Sequence, residues 1–433
     1  DESFKANNKN KPRVFAYTIK IDDKQSEFTK SVFTLCDYRK NDKCPPWSLQ
    51  ASKMRHDKVS KTVYYDNAVV KFFDIPIFYA PKLSHPDPSI DRRSGFLPPS
   101  FTSSKNLGSG IDTPYFWAMN KDKDFTFTPR LYTSEHPLYL GEYRQVFEKS
   151  NLVLDMGYTE GYKKTGTKKI AGNKSHFFTN FIKVFEGKDN SVNSIELTTQ
   201  ELSNDKYLKL YKINSSLVKS DVDELENSLK FIHENDNLFL GFEASAFETI
   251  KDKYNDKYEY ILPDITLDKN LLSSDKYGSF DLTSNIKIHK NDTNKITKFL
   301  VKDIGWKTSE NNFSNGFNGN LMAKLKNVNY ETNYVSLFIE DQTSDIFGGI
   351  GYLLDLDLIK KTNNIASHFL TPKIFFRYSP DHMRKEAKDI RLNDKKLFKI
   401  DRIDTENNFE GGASATVGFD YELKHSSNRK FKF

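Results

Sequence analysis

The sequence predicts an all-β chain: a partial jelly roll, then a large antiparallel β-barrel of the membrane-spanning kind, changing over near residue 92. Three observations carry this. Short alternating runs follow one another up to about residue 92 without helical period. From about residue 93, segments of about ten alternating residues recur between clusters of Gly, Asn, Asp and Lys, as hairpin arms of a transmembrane barrel do. Between them, Phe78 to Pro114 is punctuated by prolines.

Composition permits this fold. The chain has 433 residues, enough for two domains, with 37% hydrophobic content and mean hydropathy −0.67. No run approaches the eighteen or so apolar residues of a spanning helix, whereas barrel strands alternate and average to a polar composition. Aromatics reach 14%, with 35 Phe and 22 Tyr, which suits interfacial girdles; a Phe-rich soluble β-protein stays open on composition alone. The 65 basic residues face 59 acidic ones without a dense stripe, which disfavours nucleic acid. The chain opens DESFKANNKNK, which is no signal peptide, and ends in what reads as a strand just begun. A piece of a longer protein is therefore expected, divided into 1–92 and 93–433.

In the first part, Val14–Ile21, Phe28–Leu35 and Trp47–Met54 alternate, and Lys61–Tyr79 is a long extended run broken at Asp74. Strict alternation puts Tyr64, Ala68, Val70 and Phe72 on one face, and Val63, Tyr65, Val69 and Phe73 on the other. Both faces are apolar, so this strand is either sandwiched or lines a greasy channel on one side. Cys36 and Cys44 enclose a short polar loop: a local disulfide, partners elsewhere and free thiols all remain open. Arg92 and Arg93 mark the junction. A strand at Ser94–Leu97 runs into Pro98–Pro99, and a second strand-like run reaches Pro114. Proline donates no ladder hydrogen bond, so two neighbouring strands that each carry one pair weakly, a property useful in a seam meant to open.

In the second part, arms such as DFTFTPRLY, HFFTNFIKVFE, LFLGFEASAFETI and SATVGFDYEL follow one another. Thr199–Tyr211 and Ser220–His233 carry some helical period. Asp303–Asn320 and Ser379–Lys396 read as long charged loops of an extracellular kind. No catalytic constellation is present: LGSGID lacks a nucleophile elbow, and FGGIGY at Phe347–Tyr352 reads as a hairpin turn, not a phosphate loop. His85 and Asp87 fall short of a metal site, and Asp355 and Asp357 read as lumen-facing strand residues. Neither an enzyme nor a cofactor is expected.

The run RRSGFLPP, then PYFW, the DFTFTP run at Asp124–Pro129, and EYR at Glu142–Arg144 resemble the junction and first barrel strands of the LptD (OstA, Imp) family of lipopolysaccharide-assembly proteins. SNDKYLKLY at Ser203–Tyr211, LPDI at Leu262–Ile265, and LFKIDRI with EGGASATVGFDYE at Glu410–Glu422 resemble later family segments. The match touches most of the chain from about Trp47 to Glu422. It departs in a truncated N-terminal domain, absent closing strands, and Pro98 where many relatives have Ile.

The resemblance implies an outer-membrane translocon with its N-terminal part in the periplasm. It would receive lipopolysaccharide from an LptA-type bridge, hold an LptE-type lipoprotein plug, and release lipid through a lateral gate between its first and last barrel strands. Ala68, Val70, Phe72, Ile75 and Ile77 are then candidates for the lipid groove, or else ordinary core. Pro99 and Pro114 match the family's gate prolines, and Arg92 and Arg93 are contacts to lipid phosphate or a salt-bridged hinge. The family also implies disulfide partners for Cys36 and Cys44 outside this chain. A general porin and a soluble β-rich binding protein are the alternatives.

Overall fold

The structure, a computed structural model, describes residues 13–34, 47–72, 75–87, 90, 92–166, 169, 171–188, 190–217, 219–251, 254–336, 338–362, 366–380, 394–403, 405–425 and 430–432. Cys36, Cys44 and Phe73 lie outside these residues. The chain is all-β, built from large antiparallel sheets. It divides into two compact units, Asp1–Tyr143 with Tyr162–Ile170, and Arg144–Gly161 with Ala171–Phe433.

The first unit opens with a six-stranded antiparallel sheet of β1 (Arg13–Phe15), β2 (Thr18–Ile21), β3 (Gln25–Thr34), β4 (Trp47–Asp57), β5 (Thr62–Phe72) and β6 (Ile75–Pro86). The order is β1-β3-β4-β5-β6, with β2 also on β3. The predicted run Val14–Ile21 is two strands, interrupted at Ala16 and Tyr17.

Strict alternation fails within these strands. Buried side chains are Phe28 then Ser31 and Phe33 on β3, Leu49 and Ala51 then Met54 on β4, and Val63 and Tyr65 then Ala68 on β5. Each strand inserts one extra residue between successive inward side chains, at Lys30, at Ser52–Lys53 and at Asn67. Lys30 and Asn67 adopt positive φ (47° and 50°), the left-handed region Asn tolerates better than most residues. The pairing register continues unchanged through the line, from Lys53↔Asp66 to Gln50↔Val69, because the strands switch together. Tyr64 therefore faces outward under the Arg55 guanidinium, 4.8 Å from its ring centroid, and Val63 and Tyr65 share the inner face with Ala68. This corrects the face assignment made from alternation.

Beside the line lies a row of small buried residues, Ser31, Ala51, Ala68 and Ala80. Across it the sheet doubles over. The Phe33 ring lies 5.2 Å from His85 and 6.4 Å from Tyr65, although seven ladder rows, about 23 Å if flat, separate Phe33 from His85. The small row lets the inner corner close, and Phe28, Phe33, Leu49, Met54, Val63 and Tyr65 form one core.

One polar element of this core is pH-sensitive. His85 Nδ1–H donates to the Pro86 carbonyl (2.6 Å), so Nε2 accepts from the buried Tyr65 hydroxyl (2.7 Å). Burial holds the His85 pKa below its ordinary 6.5, against the attraction of Asp87 and with help from His56. The unfolded chain thus takes the proton first as pH falls below 6.5, and the stability contributed by neutral His85 is complete above that pH and lost beneath it. Stability should fall by at most about 1.4 kcal/mol per pH unit below 6.5 from this group. Urea midpoints at pH 7.5 and 5.5 should differ less in His85→Gln than in the parent.

The first unit continues with β7 (Gly95–Phe96), β8 (Ser100–Ser104), β9 (Gly108–Asp112), β10 (Tyr115–Trp117) and β11 (Lys123–Tyr132), and β12 (Leu138–Val146) leads the chain into the second unit.

The second unit is an antiparallel meander in which each principal strand pairs with the next. It runs through β13 (Ser150–Thr159), β14 (Lys174–Glu186), β15 (Val192–Leu202), the short helix α1 (Tyr207–Tyr211), β16 (Glu224–Glu234), β17 (Leu238–Thr249), β18 (Tyr258–Ser274) and β19 (Gly278–Asn291). It continues with β20 (Ile296–Lys307), β21 (Asn311–Asn312), β22 (Phe317–Asn333), β23 (Thr343–Leu356), β24 (Leu358–Thr362), β25 (Ala366–Ser379), β26 (Gly412–His425) and β27 (Lys430–Lys432).

Three expectations change here. Of the two helical candidates, Thr199–Leu202 is strand, only Tyr207–Tyr211 is helix, and Ser220–His233 is largely β16. Most of Asp303–Asn320 is strand, leaving 308–316 with the two-residue β21 as the connection. FGGIGY is no turn but the middle of β23: a Cβ on Gly349 would stand 2.8 Å from Ile400, and one on Gly351 2.5 Å from Phe375, so these glycines make room for packing.

Candidate functional site

In the first unit the inner face of the folded sheet changes character along β5. Tyr65 and Ala68 are sealed in the core, and Val70 packs against its edge. Val70 pairs with Phe78, and Phe72 pairs with Trp47 on one side and Ile75 on the other. Paired residues share a face, so Val70, Phe72, Ile75, Phe78 and Trp47 continue the core's apolar surface outward. Exposure climbs along it, from 1% at Ala68 to 51% at Phe72, 56% at Phe78 and 65% at Ile75. The folded sheet is closed at Met54 and Tyr65 and opens at this end, among the described residues, as a half-exposed apolar face, a feature that marks interaction surfaces. The structure brings four of the five groove candidates onto this face. Ile77 stands apart, at a register shift between Val70 and Lys71, and is exposed.

The junction that follows is tied on both sides. Asp87 lies 2.5 Å from His56 Nε2, both side chains buried. Arg93 donates to Thr62 Oγ1 and to the Ser60 carbonyl at the β4–β5 turn. Arg92 donates to the Asp124 carboxylate and to the Lys121 carbonyl (2.7 Å) beside β11. Each guanidinium offers five donors in a rigid fork; here the adjacent pair binds the linker in opposite directions.

The prolines lie in breaks of one hairpin. Its first arm is β7 and β8, interrupted at Leu97–Pro99; its second is β9 and β10, interrupted at Thr113–Pro114. Pairing resumes on each side of the break one residue out of step, Tyr115↔Phe96 against Asp112↔Ser100. Only the Leu97 N–H to Pro114 carbonyl bond (2.8 Å) is found inside the break among the described residues. Pro114 accepts from the first arm, so its missing N–H is a donor that arm lacks. Toward β11 the register is unbroken, from Tyr115↔Phe127 to Asp112↔Arg130.

Sequence reasoning missed the group beside this break. Ser100, Asp112 and Arg130 stand in one row. Arg130 Nε donates to Asp112 Oδ1 (2.6 Å), Arg130 Nη2 donates to Oδ2 (3.1 Å), and Ser100 Oγ donates to Oδ2 (3.1 Å). A two-pronged guanidinium–carboxylate pair, nearly buried, fixes the register where the prolines weaken it. The available signal was the repeat of Thr-Pro in IDTP and FTPR, which places both partners next to prolines.

The second unit presents two unlike faces. One row runs Ile195, Phe231, Phe242, Ile265, Ile286 and Leu300 across six strands. The adjacent row, on the opposite face, runs Glu196, Lys230, Glu243, Asp264 and Lys287. Lys230 pairs with Glu226 (2.9 Å) and Glu243 (3.8 Å), and Lys287 with Asp264 (3.5 Å). Farther along, the apolar face carries Ile346, Ile350, Phe376 and Val417, 65%, 55%, 48% and 76% exposed. On the charged face, residues 398–403 and 405–410 of the β25–β26 connection pack down: Ile400 and Phe409 join Phe299, Val328, Phe347 and Phe375. Lys326 Nζ donates to the carbonyls of Thr405 and Asn408, and Arg377 Nε to that of Ile400 (2.6 Å).

Asp355 lies on this face and accepts from Asn318 (3.2 Å), while Asp357 sits between β23 and β24 and accepts from Thr371 (2.8 Å). In β14, His176 stacks on Phe178 and holds Asp155 (2.8 Å) and the Tyr207 hydroxyl (3.3 Å), seating α1. His176→Ala should cost about 1–3 kcal/mol by leaving Asp155 without this partner, read as faster hydrogen exchange in α1. Among the described residues, no three His, Cys, Asp or Glu side chains cluster as metal ligands would.

Pairing charge on one face while exposing hydrocarbon on the other inverts the arrangement of a soluble sheet and resembles that of β-proteins that meet lipid. The comparisons point the same way. The chain is 37% identical over 122 residues to the LPS-assembly protein LptD of Nitrosococcus oceani, covering 28% of this chain and 16% of that protein. It is 34% identical over 120 residues to that of Shewanella oneidensis (27% and 16%). Against that of Idiomarina loihiensis it is 27% identical over 240 residues (55% and 30%). The chain is thus similar to LPS-assembly proteins of the LptD family, and it spans less than a third of the length of each of these three. No family model matches. A bacterial polysaccharide outer membrane secretin aligns with 75% of this chain and 90% of its own, at 9% identity and a TM-score of 0.25, too distant to carry an argument.

Proposed function

We propose that this chain is a lipopolysaccharide-handling component of a Gram-negative outer membrane, assembling lipid rather than catalysing a reaction. The observation that carries this reading is the apolar face that opens along Ala68, Val70, Phe72 and Ile75. Each buried methylene is worth about 0.8 kcal/mol, so a lipid with several acyl chains needs such a surface to cross an aqueous gap. The two-faced sheet of the second unit supports a bilayer contact on one side and a polar path on the other. In this reading residues 1–92 are periplasmic jelly roll and 93–433 barrel. The weakened hairpin at Pro99 and Pro114 is one edge of a lateral gate, and Arg92 and Arg93 brace the junction. An LptA-type bridge and an LptE-type plug are the proposed partners.

Photo-crosslinking in cells tests it. Probes at Phe72, Ile75 and Phe78 should yield lipopolysaccharide adducts, and probes at Tyr64, Val69 and Lys71 none. No adduct at any position in correctly assembled protein would demote this face to ordinary core and favour a general channel.

A further inference from the structure

The apolar face of the second unit is not evenly filled. In the row Phe280, Trp306, Ala323, Ile350 and Tyr378, the middle residue is small. In the next row, Leu282, Ile304, Leu325 and Gly348, the last has no side chain. Ala323 and Gly348 are diagonal neighbours on β22 and β23, and together they floor a trough of about 640 Å³. Its walls are Ile304, Leu325 and Ile350, and Trp306, Phe280 and Tyr378 stand toward its strand-end side. That volume is in the range of sites that hold small ligands, and the lining is almost wholly hydrocarbon.

The strand end beside it has the character of an interface. Trp306 Nε1–H donates to the Tyr277 carbonyl (2.8 Å), and the Phe280 and Trp306 rings stack at 5.9 Å. Lys276 lies over the Tyr277 ring at 5.0 Å. Lys276 is exposed there together with Asp275 and Glu310, a rim of mixed sign. An apolar slot ending in amphipathic rings and exposed charges of both signs matches a molecule with a hydrocarbon tail and a zwitterionic head.

We propose that this trough is a specific site for one acyl chain of a zwitterionic phospholipid, with its headgroup among Lys276, Asp275 and Glu310. The proposal rests on the reading that this face meets the bilayer. It adds that lipid is held here in preference to the rest of the face. Gly348 is then a lipid-binding position: a Cβ there would meet Leu325 at 3.6 Å and the Lys324 carbonyl at 3.4 Å, ordinary contacts, so a larger side chain fits the fold and fills the trough.

The test uses the full chain in vesicles containing a phosphatidylethanolamine with a diazirine in its acyl chain. After photolysis, adducts should fall several-fold more often on Trp306, Leu325 and Ile350 than on Ile346 and Val417, which are at least as exposed. Gly348→Phe should abolish that enrichment and leave adducts at Val417 unchanged. Ala323→Phe fills the trough from the other strand and should do the same. Equal labelling of trough and surroundings, unmoved by either variant, would overturn the site while leaving the bilayer reading intact. Absence of adducts from the whole face in folded protein would overturn the bilayer reading itself.

Discussion

Asp112→Ala should destabilise the proline-broken hairpin by about 3–5 kcal/mol, because the Arg130 guanidinium loses the carboxylate it grips with two nitrogens in a nearly buried position. The coulombic attraction is only part of the loss. A buried cation stripped of its counter-charge keeps its desolvation penalty, which makes removal of one partner costlier than removal of both. Asp112→Leu combined with Arg130→Met should therefore recover much of the stability. Ser100 also loses its acceptor, so the first arm, which the prolines already leave weakly paired, should be the first element to exchange. Hydrogen exchange of β8 and β9 reads this directly. Protection unchanged in Asp112→Ala would show that the pair does not set the register.

Lys326→Ala should release the segment packed on the charged face of the second unit. The ammonium is about 4% exposed, donates to two backbone carbonyls, and lies 3.8 Å from Asp401, itself about 1% exposed. Its removal leaves a buried carboxylate and two carbonyls lacking this donor, again about 3–5 kcal/mol. The loss should stay local, since Ile400 and Phe409 retain their aromatic neighbours, and should appear as faster exchange and protease cleavage within residues 398–410. Lys302→Ala, on the opposite face of the neighbouring strand, should stay within about 0.5 kcal/mol of the parent. Equal behaviour of the two variants would sink the assignment of Lys326 as the anchor.

Much of the second unit was legible because most of its strands keep a two-residue period, β18 with its register shifts near Leu262 and Leu271 excepted. Glu196 beside Ile195, Lys230 beside Phe231 and Glu243 beside Phe242 announce one charged and one apolar face. What stayed hidden depended on long-range packing. FGGIGY has the composition of a turn, and only packing against residues far along the chain, Phe375, Ile400 and Phe409, explains glycines in mid-strand. The charged character of residues 379–396 gave no hint that the chain just after them carries two apolar anchors, Ile400 and Phe409, and docks on a sheet. Ser220–His233 showed helical spacing because Leu225, Leu229 and Ile232 fall at intervals of four and three, yet its neighbours on both sides are strands and pairing prevailed. In the first unit, Phe72 and Ile75 were found as lining candidates, whereas their relation to Val63 and Tyr65 was misread. The Asp112–Arg130 pair left only a faint local trace, since its partners come from different strands.

That misreading has an evolutionary side. Because the adjacent strands change sides along a single line, a deletion at Asn67 alone would restore strict alternation in that strand, keeping Ala68, Val70 and Phe72 on the side of Val63 and Tyr65 but sliding them one row against their partners. The neighbouring strands would still present their old inner faces, so half of one ladder would meet the other inside out. Length changes near Lys30, Ser52, Asn67 and Pro81 can therefore be accepted only in concert, or at the hairpin ends where they cost nothing. Homologous chains aligned across this stretch should show gaps in the turns and almost none along the line, however far their residues have drifted.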